Sequence, residues 1–190
     1  MYLIYPKCKA QHHKIQWYSD VFSKDECEQI IKTGQCLPVE EATIGEQHKN
    51  KNNSYRSASI SWIKWDQETD WIFSKFAVIA NKANEQYDLS LVGLIEPLQY
   101  TEYNEGDFYN WHQDLGDQIT SIRKLSMIAI LTDPSEYEGG LLEILGIDEP
   151  FPLHQGMIYC FQSFEVHRVT KLLSGRRKSL VAWVSGPPYR

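Results

Sequence analysis

The sequence predicts a mainly β domain, a sandwich or barrel with helices buttressing one sheet. Three observations carry that prediction. Both helix-like periodicities precede Pro97. Everything after Pro97 breaks into short extended runs separated by turns. The chain's 190 residues, 42% of them hydrophobic, are enough for one sizeable core and little else, so residues 1–190 are expected to form a single domain. On this reading 1–95 form a support region of helices and strand, and 96–190 form the β core.

In chain order, "SKDECEQIIKTG" (23–34) starts with Ser23 as N-cap, has Glu26 to close a capping box, and reaches Gly34 as its expected stop. The polar, aperiodic "VEEATIGEQHKNKNNS" (39–54) is expected to be a mobile surface loop, serving as lid or peptide clamp if it has a role. "YRSASISWI", from Tyr55 to Ile63, suits one strand, and Arg56 and Trp62 on it are candidates to line a groove. Apolar groups at Ile72, Phe76, Ile79, Ala83 and Tyr87 then mark a helix with one packed face. Strands are expected at 98–104, 108–114, 122–132, 141–145, 157–162, 166–170 and 178–185.

Composition narrows the function classes. A formal charge of −6 argues against a sequence-independent nucleic-acid binder, which needs Lys and Arg to neutralise phosphates. No apolar run approaches the roughly 18 residues of a membrane span. Cys8, Cys27, Cys36 and Cys160 lack Cys-x-x-Cys spacing and no apolar leader follows Met1, so a reducing, cytoplasmic location is expected. Six Trp and eleven Tyr point to a core or cleft rich in rings.

Chemistry concentrates in "YNWHQDLGD" (109–117). Side chains two apart on a strand share a face, so His112 and Asp114 can share one metal ion, although a lone His-x-Asp pair also arises by chance. His167 in "FEVHRVT" adds a second imidazole. Two imidazoles and a carboxylate are the ligand set of the facial triad that holds non-haem Fe(II) with open positions. A bidentate 2-oxo acid on such a metal needs a cationic fork for its distal carboxylate. Arg176 and Arg177 compete, and parity favours Arg177, which shares a strand face with Ser179, Val181 and Trp183.

These segments resemble the Fe(II)/2-oxoglutarate-dependent dioxygenases, within them the prolyl-4-hydroxylase-like branch. "YNEGDFYNWHQD" is similar to the branch's Tyr-x-x-Gly-x-x-Tyr-x-x-His-x-Asp pattern at Tyr103, Gly106, Tyr109, His112 and Asp114, and "HRVTKLLSGRRKSLVAW" matches its distal His, Gly, basic residue and Trp. The resemblance runs from about Leu98 to the C-terminus. It implies a double-stranded β-helix, a jelly roll related to the cupins. It further implies Fe(II), 2-oxoglutarate and O2, with ascorbate in support, and hydroxylation of a C–H bond with release of succinate and CO2. His112, Asp114 and His167 are then the metal ligands and catalytic residues. Arg177, Tyr103 and Ser179 hold the cosubstrate.

The chain departs from some relatives in one place: where they carry a second carboxylate partner, a tyrosine, this strand reads "MIAIL". "EYEGG" is expected to be a turn without chemistry, and His12, His13, His48 and His154 to be solvated. The expected substrate is a prolyl residue in a peptide or protein. Alternatives are a free amino acid or other small metabolite, or a non-catalytic jelly-roll module that retains a metal; neither nucleic acid nor membrane is an expected partner.

Overall fold

The computed structural model describes residues 15–41 and 55–189. Residues 42–54, which make up most of the expected loop and include His48, lie outside the described residues, as do Cys8, His12 and His13. The elements run β1 (Gln16–Tyr18), α1 (Lys24–Gln35), β2 (Glu40–Glu41), β3 (Arg56–Ser57), β4 (Ser59–Ile63), α2 (Asp70–Tyr87), β5 (Leu98–Tyr103) and β6 (Phe108–His112). They continue as β7 (Arg123–Ile130), β8 (Tyr137–Gly139), β9 (Leu142–Ile144), β10 (Ile158–Gln162), β11 (His167–Val169), β12 (Leu172–Gly175) and β13 (Arg177–Ser185). Two strand layers face each other. The larger sheet has the order β1-β10-β7-β13-β5-β4-β2, the smaller β3-β6-β11-β9, and β12 pairs with β8 beside them.

The larger sheet is covered on both faces, and strand alternation decides what each face meets. Leu98 and Tyr100 of β5, Leu125, Met127 and Ala129 of β7, and Leu180, Ala182 and Val184 of β13 join one core with Ile30, Ile72, Phe73, Phe76 and Ala83 of the two helices. The residues between them, including Gln99, Thr101, Ile128, Arg177, Ser179, Val181 and Trp183, line a cavity between the sheets. The helices therefore buttress one side of the sheet and leave the other for a site. β7 is buried at all eight positions because it lies inside this sandwich.

Three expectations need correction. Gly34 does not stop α1, which ends at Gln35 with Cys36 in the right-handed region. Its small size serves packing: a Cβ at Gly34 would lie 2.4 Å from Cγ of the Tyr100 ring. Gly34→Ala should therefore destabilise the fold by about 1–3 kcal/mol, although alanine is the better helix former. A thermal midpoint at or above that of the unaltered protein would contradict this reading. The Tyr55–Ile63 stretch is two strands, because the chain passes from the smaller sheet to the larger at Ala58. The first residues of the expected loop are not loop, since Glu40–Glu41 form β2, which pairs with β4 through Glu40 and Ile60.

Candidate metal centre

His112 closes β6, opposite His167 of β11. The pairing is irregular: His167 faces His112, yet Val169 faces Tyr109, so β6 carries one residue more than its partner. Such a β-bulge cancels one alternation and turns Tyr109 and His112, three apart, to the same side. Their rings stack at 3.4 Å between centroids. Tyr55 holds the bulge, its carbonyl accepting from Asn110 N–H at 2.9 Å and its hydroxyl donating to the Trp111 carbonyl.

Asp114 lies beyond the end of β6, so strand alternation is not what aims its carboxylate. Its amide, with that of Leu115, donates to the Ser163 carbonyl, each at 3.0 Å, and its own carbonyl accepts from Arg123 at 3.3 Å. This anchoring brings Asp114 Oδ1 to 3.9 Å from His112 Nε2 and Oδ2 to 3.7 Å from His167 Nε2. Both rings are oriented in the same way. Nδ1 of His112 meets the Asn110 carbonyl at 2.8 Å and Nδ1 of His167 meets the Glu165 carbonyl at 2.9 Å. A carbonyl only accepts, so both Nδ1 atoms carry a proton and each Nε2 is the ring nitrogen turned toward Asp114. The three ligand atoms lie within 4.8 Å of one another, which suits one metal ion.

Burial, followed by the adjacent His167 imidazole, pulls His112 down to about 3 from its ordinary 6.5. Burial alone would raise Asp114, but His167, His112, the Ser126 hydroxyl and Arg123 outweigh it and hold the carboxyl below its usual range. His112 thus offers a neutral nitrogen and Asp114 an ionised oxygen, the forms a metal needs. The unfolded chain regains an ordinary histidine, so between pH 6.5 and about 3 it binds more protons than the fold. Stability of the metal-free protein should consequently decline as pH falls through that window, with a slope up to about 1.4 kcal/mol per pH unit. Thermal unfolding across pH checks this. His112→Asn should flatten the profile, and an unchanged profile would refute the assignment.

Arg177 begins β13 in register with Tyr103. It is only 1% exposed, donates from Nη1 to Ser179 Oγ at 3.2 Å, and leaves Nε without a hydrogen-bond partner. No carboxylate pairs with it among the described residues, whereas Arg176 is exposed and lies 3.8 Å from Glu102. Tyr103 is buried, with its ring centroid 5.4 Å from the guanidinium carbon. The "EYEGG" turn contributes after all. Gly140 is so close that a Cβ there would lie 2.9 Å from Arg177 Cδ. Tyr137 brings its hydroxyl close to the same arginine, and burial pushes the phenol up while Arg177 draws it back. The triad, Tyr103, Arg177 and Ser179 all line one cavity of about 640 Å³. A five-carbon 2-oxo diacid fits this chemistry, with one end at the triad and the other at an orphaned guanidinium.

The rest of the wall joins groups that the sequence offered, Arg56, Trp62 and Trp183, to Arg123, which no local sequence signal picks out. Trp183 packs against Trp62 with ring centroids 6.3 Å apart and has a buried indole N–H without a partner. Arg123 covers Trp183 at 3.7 Å and donates to Glu96 at 2.8 Å. Arg56 lies 4.3 Å over the Tyr109 ring, so both groove candidates, Arg56 and Trp62, do reach the cavity. His154 is exposed.

Residues 98–185 match the family model described as the 2OG-Fe(II) oxygenase superfamily. A PKHD-type hydroxylase of Synechococcus sp. (strain CC9605) is 36% identical over 98 residues, which cover 50% of this chain and 44% of that protein. The chain thus spans less than half the length of that curated relative. The fold is similar to that of a Pseudomonas putida prolyl-4-hydroxylase, with a TM-score of 0.68 at 18% identity over 93% of this chain and 94% of that one. It is similar also to a Trichoplax adhaerens prolyl hydroxylase solved with a hypoxia inducible factor peptide, with a TM-score of 0.74 at 14% identity over 92% and 84% of the two chains. At these identities the structures speak for the fold, a jelly roll. The segment that carries the His-Asp-His set is thus similar to the 2OG-Fe(II) oxygenase superfamily, and the chain's fold is similar to that of prolyl hydroxylases.

Proposed function

We propose that this chain is an Fe(II)- and 2-oxoglutarate-dependent dioxygenase that hydroxylates a C–H bond of a prolyl residue in a peptide or protein. The carrying observation is the pairing, in one cavity, of a two-imidazole and carboxylate triad with a buried guanidinium that meets no carboxylate among the described residues. His112, Asp114 and His167 would hold the iron, and Arg177, with Ser179 and Tyr103, the cosubstrate. When bound, iron supplies the oxygen activation that couples decarboxylation of 2-oxoglutarate to hydroxylation, with succinate and CO2 as products.

The chain's own residues do the rest. The Asn110 and Glu165 carbonyls fix the histidine tautomers, and the Ser163 carbonyl holds the Asp114 turn. The buried walls keep bulk water from the reacting atoms, which strengthens the Arg177 contact. The prolyl reading draws on the names of the structural neighbours, and the ring-lined wall of Trp62, Trp183 and Tyr109 supports it. We place the protein in the cytoplasm on its unbonded Cys27, Cys36 and Cys160. No helix among the described residues is long and apolar enough to cross a membrane.

The test is succinate release from Fe(II)-loaded protein with 2-oxoglutarate and ascorbate, alongside mass spectrometry of proline-containing peptides for one added oxygen. Succinate together with hydroxyproline supports the whole reading. Hydroxylation of free proline but of no peptide would move the substrate to small metabolites. An iron-loaded protein that releases no succinate would leave a non-catalytic module.

A further inference from the structure

Three arginines line the cavity, and two are accounted for. Arg123 is neutralised by Glu96, and Arg177 faces the cosubstrate end. The third, Arg56, is buried on β3, where it pairs in register with Tyr109 at the bulge. Its Nε has no hydrogen-bond partner and no acid pairs with it among the described residues; the two unassigned acids of the cavity wall, Glu40 and Asp117, do not. Among the described residues, the Tyr109 ring face at 4.3 Å is what meets its charge.

A desolvated guanidinium with unused donors is costly unless an anion meets it. 2-Oxoglutarate cannot be that anion if one of its carboxylates is bound at the triad and the other at Arg177. Arg56 sits instead on the smaller sheet, across the sandwich from β13. We propose that Arg56 receives a carboxylate of the substrate that is hydroxylated, so that this substrate carries an acidic group next to its target carbon. The inference rests on the dioxygenase reading and deepens it. A carboxylate can be a chain end or an acidic side chain, and both offer the same planar pair of oxygens to the fork.

The test uses protein loaded with Zn(II) and saturated with 2-oxoglutarate, which binds without turnover and keeps Arg177 occupied. Binding is followed by calorimetry. The probes are matched acid and amide pairs: acetylproline with acetylprolinamide, acetyl-Pro-Glu-amide with acetyl-Pro-Gln-amide, and the same two pairs built on leucine. The acid should bind about ten- to a hundred-fold tighter than its amide in a prolyl pair. Which pair shows the preference tells a terminal from a side-chain carboxylate. Arg56→Gln should bring the ratio to about one, with Arg56→Lys between, because lysine keeps the charge and loses the fork. Affinity for 2-oxoglutarate should stay the same in both variants.

Equal affinity of acid and amide in the unaltered protein, including failure of every probe to bind at millimolar concentration, overturns the proposal whatever the variants do. So does an Arg56→Gln protein that retains the preference, or one whose main loss is in 2-oxoglutarate affinity. A preference confined to the leucyl pairs would instead keep Arg56 in its role and remove proline from the substrate.

Discussion

Replacing His112 by alanine is expected to weaken metal binding by more than about 100-fold and to reduce succinate release to background. Loss of an outer-sphere partner of a metal ligand already costs 10- to 100-fold, and here a ligand itself is removed. Two donors would remain, Asp114 and the Nε2 of His167, 3.7 Å apart, and among the described residues no other His, Cys, Asp or Glu joins them in that cluster. The fold should survive, because His112 ends a strand and its Nδ1 bond is to its own neighbour's carbonyl. Calorimetry with Zn(II) separates metal loss from unfolding, which circular dichroism monitors. Wild-type metal affinity in a folded His112→Ala protein would remove this residue from the ligand set.

Arg177→Met is expected to act in opposite directions on affinity and stability. Arg177 is fully buried, with one bond to Ser179 and an unpartnered Nε, so its charge is poorly compensated until a carboxylate arrives. Methionine fills a similar volume without that desolvation cost. The ligand-free variant should be as stable as the parent or more so, by up to about 4 kcal/mol. Its affinity for 2-oxoglutarate should fall by about 2–5 kcal/mol, roughly 30- to several-thousand-fold. Arg177→Lys should lose less. Thermal unfolding without ligand, together with titration of the Zn(II) form with 2-oxoglutarate, reads both quantities. An unchanged dissociation constant would show that another group holds the distal carboxylate.

What was legible in the chain follows from the range of the forces involved. The capping box at Ser23 and Glu26 is local, and both of its hydrogen bonds are present. The alternation along Arg177, Ser179, Val181 and Trp183 is local too, and all four side chains line the cavity. The role of Gly34 was hidden, since its reason is a ring on another element. The division of Tyr55–Ile63 between two sheets depends on which partners each half finds. Strands as short as β1, β2 and β12 carry too few residues to show a period. In the site, the two histidines and the aspartate could be picked out by spacing and resemblance. Tyr137 could not, because a turn read for its glycines conceals a hydroxyl that matters only beside Arg177.

The additional residue in β6 also bears on substrate choice. Tyr109 shares a side with His112 only because their separation is counted with one residue to spare, and Arg56 lies on the ring so presented. Deleting Asn110 would make the count regular and turn the ring away, with every ligand still spelled out in the sequence. On the proposed roles of Arg56 and the triad, substrate preference would therefore answer to the length of one strand as well as to the identity of any side chain, with the metal ligands left untouched.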